Sequence, residues 1–277
     1  MFIAATPDMM RPASSVHRLF TLNIGGPSLA RASRLADYLL SQDLDVIVLT
    51  ETRPNLGTAA LIDALSAAGY EACWPRPPST GERGVALLSR SAQTSPIRNK
   101  SEELGHRLLV EMVTFQSPVT LIAAYVPSRD ASLRKIARKR QFLSQLLSVL
   151  SESAHLQRTV VMGDFNVVSR DHVPRYSAFR SWEYEVLDEI GELGFVDVFA
   201  RLHPGQQAHS WIGRTGDGYR YDYVFMSPDL AEAALDCEYV HDARDSRLSD
   251  HAGVLLTLAP ERAPAAEASR RLQPAMG

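Results

Sequence analysis

The 277-residue sequence predicts an α/β protein in which mixed β-sheets are covered by helices. Three observations carry this. Short apolar runs alternate with helical patterns, strand-like runs outnumber helical ones, and residues 84–90, 106–115 and 119–127 read as successive strands joined only by turns. Hairpin-like neighbours of that kind, mixed with strand–helix–strand units, do not suit a purely parallel doubly wound sheet.

The elements follow in chain order. HRLFTLNI (17–24) alternates over its second half, as a strand does. LARASRLADYLLSQ (29–42) places Leu29, Ala32, Leu35, Ala36, Leu39 and Leu40 on one helical stripe. DVIVLTE (45–51) is a continuous apolar strand ending in a carboxylate, and TAALIDALSAAG (58–69) a helix stopped by Gly69. After the three strands at 84–127, SLRKIARKRQFLSQLLSVLSES (132–153) forms a long amphipathic helix, basic in its first half. RTVVMGDFNVV (158–168) is the next strand and EYEVLDEIGELG (183–194) a helix capped by Gly194. RYDYVFMS (220–227), a run around Leu235 to Val240, and HAGVLLTL (251–258) complete the strands.

Composition bounds the class. Apolar residues at 45% allow a sizeable core, and a net charge of -3 argues against coating nucleic acid by bulk charge, while leaving room for a local basic face. Cys73 and Cys237 lie far apart with no CxxC or Cys-His cluster, which excludes a disulfide scaffold and a thiolate zinc site and suits a reducing compartment. The opening residues make a poor signal peptide, because Pro7 and Asp8 interrupt their apolar part. No apolar run reaches the ~20 residues of a membrane span. The expectation is a soluble, cytoplasmic monomer with no membrane or obligate protein partner. Residues 1–15 and 260–277, rich in Ala, Pro, Ser and Arg, read as loosely ordered ends around a single domain at 16–259.

The apolar strands are interrupted by polar residues at their ends. Asn23 ends the first, Glu51 the second, and Tyr125 lies near the end of VTLIAAYVP. Asp164 and Asn166 follow VVM, Asp222 sits in RYDYVF, and Asp250 and His251 open the last strand. Taken singly, each has a bland reading as a turn cap, an Asx-turn or a satisfied core histidine. Together they describe one chemistry. Glu51, Asp164 and Asp250, with the Asn23 and Asn166 amides, supply hard oxygen ligands suited to Mg²⁺ or Mn²⁺. Alternation lets Asp164 and Asn166 share a face while Phe165 turns into the core. Histidine at 251, kept protonated by Asp222, would neutralise charge growing on a phosphoryl oxygen.

The ordered set TLNIGG, LTET, YVP, GDFN (163–166), RYDY (220–223) and SDH (249–251) resembles the endonuclease/exonuclease/phosphatase superfamily, and within it the exonuclease III and abasic-site endonuclease branch. GVALLSR (84–90), the Tyr of YVP, and HSW (209–211) with GYRYDY (218–223) favour that branch. The resemblance implies a four-layered α/β sandwich, two mixed sheets flanked by helices. It implies that Glu51 ligates a divalent metal (Mg²⁺, with Mn²⁺ as substitute) helped by Asn23 and Asp250. Asp164 would orient or deprotonate the attacking water, Asn166 hold it, Tyr125 contact the phosphate or act as phenolate, and His251 with Asp222 stabilise the transition state. The implied activity is incision of duplex DNA at abasic or damaged sites, with 3′–5′ exonuclease or 3′-end trimming. The same chemistry on RNA, a nucleotide, a lipid or a sugar phosphate, or a catalytically silent nucleic-acid-binding module, are the competing readings.

Departures from the branch pattern concern substrate. Gly25 stands where an Asn or Asp is usual, Arg53 replaces a lysine, and 72–84 has little likeness. Candidate DNA contacts are Arg129, Arg170, Arg175 and Arg220, with Trp211, Tyr219 and Tyr221 as an apolar wall for an extruded sugar or terminal nucleotide. Trp211 reads equally as core, and the basic run Arg134 to Arg140 equally as a solvated helix face.

Overall fold

The computed structural model describes residues 16–90, 93–94, 105–153, 158–175 and 179–260. The loosely ordered ends expected at 1–15 and from 261 onward lie outside them. In chain order the elements are β1 (His17–Asn23), α1 (Leu29–Ser41), β2 (Val46–Thr52), α2 (Leu56–Ala67), β3 (Glu71–Cys73), β4 (Gly84–Ser89) and β5 (Gln93–Thr94). Then come β6 (Leu108–Thr114), β7 (Pro118–Tyr125), α3 (Leu133–Ser153), β8 (Thr159–Asp164), α4 (Ser181–Glu192), β9 (Val196–Asp197) and α5 (Val198–Leu202). The last are β10 (Trp211–Ile212), β11 (Gly218–Tyr219), β12 (Asp222–Met226), α6 (Pro228–Ala231), β13 (Ala234–Val240), α7 (Asp242–Asp245) and β14 (Gly253–Leu258).

Two six-stranded mixed sheets result, ordered β13-β14-β1-β2-β4-β3 and β5-β6-β7-β8-β12-β9, with β10-β11 a separate hairpin. Alternation decides what each strand face meets. Leu19, Val46, Val48, Leu121, Ala123, Val160, Met162, Val224 and Val254 fill the layer between the sheets. The intervening Phe20, Leu22, Ile47 and Leu49 meet α1 and α2 on one outer face. Ile122, Ala124, Val161 and Phe225 meet α3 and α4 on the other. The four-layered sandwich is therefore observed. Each fully buried Val or Leu contributes roughly 1.5–3 kcal/mol, which is what holds the layers face to face.

The parallel pairs β1–β2 and β7–β8 bring their carboxyl ends to one edge of the sandwich. The antiparallel partners β12 and β14 bring their amino ends to the same edge. Two expectations change in detail. The strand expected over 158–168 stops at Asp164, because the Asp164 carboxylate accepts the Asn166 amide at 2.9 Å and Asn166 takes φ 50°, turning the chain away. The last strand starts at Gly253, and His251 forms an isolated bridge with Trp211 instead.

Candidate active site

In the second sheet, register puts Asp164 opposite Asp222 on one side and Tyr125 on the other. All three lie on the face that carries Val160, Met162 and Val224, so their side chains enter the gap between the sheets where the apolar layer ends. Asn23 ends β1 on the equivalent face of the first sheet, in phase with Leu19. Gly163 permits the approach of β7 and β8. A Cβ there would lie 2.0 Å from the Ala124 carbonyl oxygen, and φ is 142°.

Alternation alone would send Glu51 to the wrong face. Val46 and Val48 face the gap, so residue 51 should face α1 and α2. A β-bulge prevents this: Thr50 pairs with Val85 and Thr52 with Gly84, leaving Glu51 as the extra residue at φ 57°. The inserted residue re-aims the carboxylate into the gap. There its Oε1 accepts the Tyr125 hydroxyl at 3.0 Å and its Oε2 the Arg83 guanidinium at 2.5 Å.

Side-chain hydrogen bonds join the two sheets here: Tyr125 donates to Glu51, Asn23 Nδ2 to Asp164 Oδ2 at 2.9 Å, and Tyr239 to the Asp222 carbonyl at 2.6 Å. Burial, then the Asp222 charge and Glu51, push the Asp164 carboxyl well above the usual range, against the pull of His251 and Asn23. His251 Nδ1 lies 2.7 Å from Asp222 Oδ2. Burial opposes its charge, but the Asp222 carboxylate overrides that, with Asp164 and Asp250 adding, and its pKa is pushed up to about 9. The imidazole is thus protonated at neutral pH. Ser249 fastens this corner, donating to the Asn23 carbonyl at 2.5 Å and accepting the His251 amide at 2.9 Å. Ser210 does the same for the neighbouring turn, accepting the Tyr221 and Asp222 amides at 2.9 and 3.2 Å.

Glu51, Asp164, Asn166, Asp250 and His251 line one cavity of about 440 Å³, together with Trp211, Tyr219 and Tyr221. The two tyrosine rings stack with centroids 5.6 Å apart, and Trp211 leans on both, its indole N–H donating to Asp250 at 3.2 Å. Trp211 is thus a wall residue rather than core. Asn166 stays in place through Nδ2 donating to the Val126 carbonyl at 2.9 Å and through Lys139 Nζ, 2.7 Å from its own carbonyl.

The residues expected to contact DNA sit in different surroundings. Arg220 is 7% exposed and grips Asp197 with both terminal nitrogens at 2.7 and 2.6 Å, while its Nε donates to Tyr239. Its guanidinium is taken up by these two partners. Arg129 is paired with the buried Glu183 and lies over the Trp182 ring. Arg170 pairs with Asp188 and Glu185 on α4. Arg175 is exposed and outside the cavity lining. Within the 134–140 run, Lys139 is fully buried, Arg138 pairs with Glu82 and Arg140 lies over Trp182. Tyr125 is 1% exposed, its hydroxyl donates to Glu51, and burial, then Glu51 and Asp164, push that hydroxyl far above the ordinary value.

The expected metal ligands fit a hard cation by donor chemistry. Glu51 and Asp250 share a cavity wall, and the buried Asp222 Oδ1 has no hydrogen-bond partner among the described residues, which leaves one carboxylate acceptor unsatisfied at this edge. The tightest grouping of acidic and histidine ligand atoms is a different one, Asp164, Asp222 and His251 within 4.8 Å. Within that group His251 and Asp222 already hydrogen-bond each other, whereas Glu51 and Asp250 are the carboxylates the sequence names for an added ion. Reading the sequence missed Arg83, Ser210 and Ser249, and placed Lys139 only within the basic run at 134–140. The serines sit inside the quoted HSW and SDH motifs, and Lys139 falls on the apolar stripe of α3 between Ile136 and Leu143. Nothing in the sequence signals Arg83.

A sequence model of the Endonuclease/Exonuclease/phosphatase family matches residues 20–251. Recombination repair protein 1 of Drosophila melanogaster is 24% identical over 213 residues, which is 68% of this chain but 29% of that protein, so the chain spans less than a third of that relative's length. Among solved structures, the 3′-5′ exonuclease NExo from Neisseria meningitidis superposes with a TM-score of 0.75 at 24% identity, covering 87% of this chain and 99% of that one. An AP endonuclease from Archaeoglobus fulgidus gives 0.74 at 23% identity with the same coverages. At these identities the likeness is one of fold. No helix among the described residues is long and apolar enough to cross a membrane.

Proposed function

The chain belongs to the endonuclease/exonuclease/phosphatase family, hydrolytic nucleases and phosphatases that are typically metal-dependent, and from that premise we propose that it hydrolyses phosphodiester bonds in DNA with Mg²⁺. Abasic sites and 3′ ends are the substrates we infer. The observation that supports this most is the convergence, on one cavity, of a protonated His251–Asp222 pair, the Asp164–Asn166–Asn23 cluster and the Glu51 and Asp250 carboxylates beside a three-ring aromatic wall. The solved structures lend support at the level of their own descriptions: one is an AP endonuclease, and NExo is described elsewhere as a 3′ phosphatase bound to a product DNA hairpin.

Each residue then has a role set by its position. The water sits between Asp164, which takes its proton, and Asn166, which holds it in line. His251 donates to a non-bridging phosphoryl oxygen as negative charge grows there, and Asp222 keeps the ring oriented and charged. Glu51 and Asp250 would hold Mg²⁺, which when bound polarises the phosphate and steadies the leaving oxygen. Tyr125 fixes Glu51. The stacked Tyr219 and Tyr221 with Trp211 offer a flat apolar face to a sugar or base.

The test is a substrate panel with and without chelator: a duplex bearing an abasic analogue, an undamaged duplex, a single strand, an RNA strand and a small phosphodiester. Chelator-sensitive incision at the abasic analogue or trimming of the 3′ end supports the reading. Hydrolysis of the small diester alone moves the protein to a non-nucleic-acid substrate. Absence of all hydrolysis with Mg²⁺, beside DNA binding, makes it a binding module.

A further inference from the structure

A second cavity, of about 680 Å³, adjoins the first across a wall shared by Glu51 and Asp250. Its lining includes four arginines, Arg31, Arg83, Arg244 and Arg247, against those two carboxylates. Guanidinium groups gathered around one concavity repel each other unless an anion joins them, and the carboxylates here are outnumbered.

The arginines are held in place. Arg31 donates to the Leu248 and Gly25 carbonyls, each at 3.0 Å, and Arg244 to the His209 and Ser210 carbonyls at 3.1 and 3.3 Å. Such bonds fix the fork and supply no counter-charge. Burial lowers the pKa of Arg31, and Arg53 adds to this against the partial offset of Asp250 and Glu51. Arg83 reaches in from the segment before β4 through its bond to Glu51. Arg247 is exposed, at φ 57°, and carries no ion pair among the described residues.

Gly25 explains why the basin stays open. It stands where the family resemblance leads one to expect Asn or Asp, at φ 53°, a conformation those residues tolerate. A Cβ there would lie 3.7 Å from both terminal nitrogens of Arg31. An aspartate would place its charge on the Arg31 guanidinium, whereas glycine leaves that cation for a ligand.

We propose that this basin is a second phosphate site, taking a backbone phosphate that neighbours the scissile one. It rests on the nuclease reading above and narrows it: the substrate carries successive phosphates, as a polynucleotide strand does. Planar guanidinium forks suit the paired oxygens of a phosphodiester.

Anisotropy of a labelled single-stranded DNA oligonucleotide, titrated over a salt series with chelator present, tests this. Arg247→Gln is expected to weaken binding about fivefold and to lower the slope of log K against log salt by roughly 0.7. Arg31→Gln should do the same, with thermal denaturation as the check on folding. Arg247→Gln carries the test alone if Arg31→Gln fails to fold. Arg90→Gln, at the opposite end of β4 beside Asp43, should change neither quantity. Unchanged slope and affinity in Arg247→Gln, while the wild type binds and cleaves DNA, overturns the basin and leaves the nuclease reading standing. If the wild type binds no DNA and hydrolyses only the small diester, the nuclease reading falls and the basin falls with it.

Discussion

Removing Glu183 exposes how the site is supported from below. Its carboxylate is 0% exposed and accepts Lys139 Nζ at 2.7 Å, Arg129 Nε at 2.9 Å and the Arg180 amide at 3.0 Å. Lys139 is equally buried and gives a further proton to the Asn166 carbonyl at 2.7 Å. Glu183→Ala therefore strands a buried ammonium and takes the carboxylate partner from Arg129. Breaking a buried pair on one side costs about 3–5 kcal/mol, and in a chain of this size that lowers Tm by roughly 10 °C. Burial already lowers the pKa of Lys139, against the pull of Glu183. Without Glu183 the lysine sheds its proton more readily, so the loss shrinks as pH rises. The double variant Lys139→Met with Glu183→Gln removes two of the three charges and keeps a neutral acceptor for Arg129 and Arg180, so part of the stability returns. Turnover does not return, because Asn166 has lost the ammonium that holds its carbonyl. Urea unfolding read beside the rate of DNA cleavage separates the two effects. A Glu183→Ala midpoint equivalent to less than about 1 kcal/mol of loss would refute the buried-triad reasoning, since that is the scale of an exposed ion pair.

Other outcomes follow from the same geometry. Arg220→Ala should cost about 1–3 kcal/mol in urea unfolding by taking the partner from the buried Tyr239 hydroxyl and from Asp197, and should leave the salt slope of DNA binding unchanged; a fall in the slope would point to a phosphate contact instead. Gly163→Ala drives a methyl onto the Ala124 carbonyl, an overpacking worth at least ~1–3 kcal/mol, visible as a lowered Tm or loss of soluble protein. Glu82 is held down to about 2 by its bond to Arg138, opposed by burial and aided by Arg107, against an ordinary value of 4.5. Its contribution is therefore full above pH 4.5 and fades as pH falls toward 2, and Glu82→Gln should flatten that part of a Tm-against-pH curve. An unchanged acid limb would contradict it.

The long elements were legible because their periods are long enough to read, and the strand-end pattern led to the cavity before any coordinates did. What escaped has physical reasons. β3, β5, β9, β10 and β11 run two or three residues, too short for any period to show. Arg129 and Arg220 looked available because a sequence cannot say whether a cation meets a partner 54 or 23 positions away. Glu51 was assigned to the right edge, but the bulge that turns it inward has no local signature in LTET. Lys139 was readable in principle. Its place on the stripe of Ile136 and Leu143 marks it as buried, yet the basic run Arg134 to Arg140 around it suggested a solvated face.

The single-turnover rate of Asp164→Ala on an abasic-site duplex with Mg²⁺, measured beside its thermal denaturation, tests the proposed site most directly. Loss of about 10²–10⁴-fold in rate, with a cooperative melt retained, is the expected result. A rate within a few-fold of the wild type would place the chemistry elsewhere than at the strand ends.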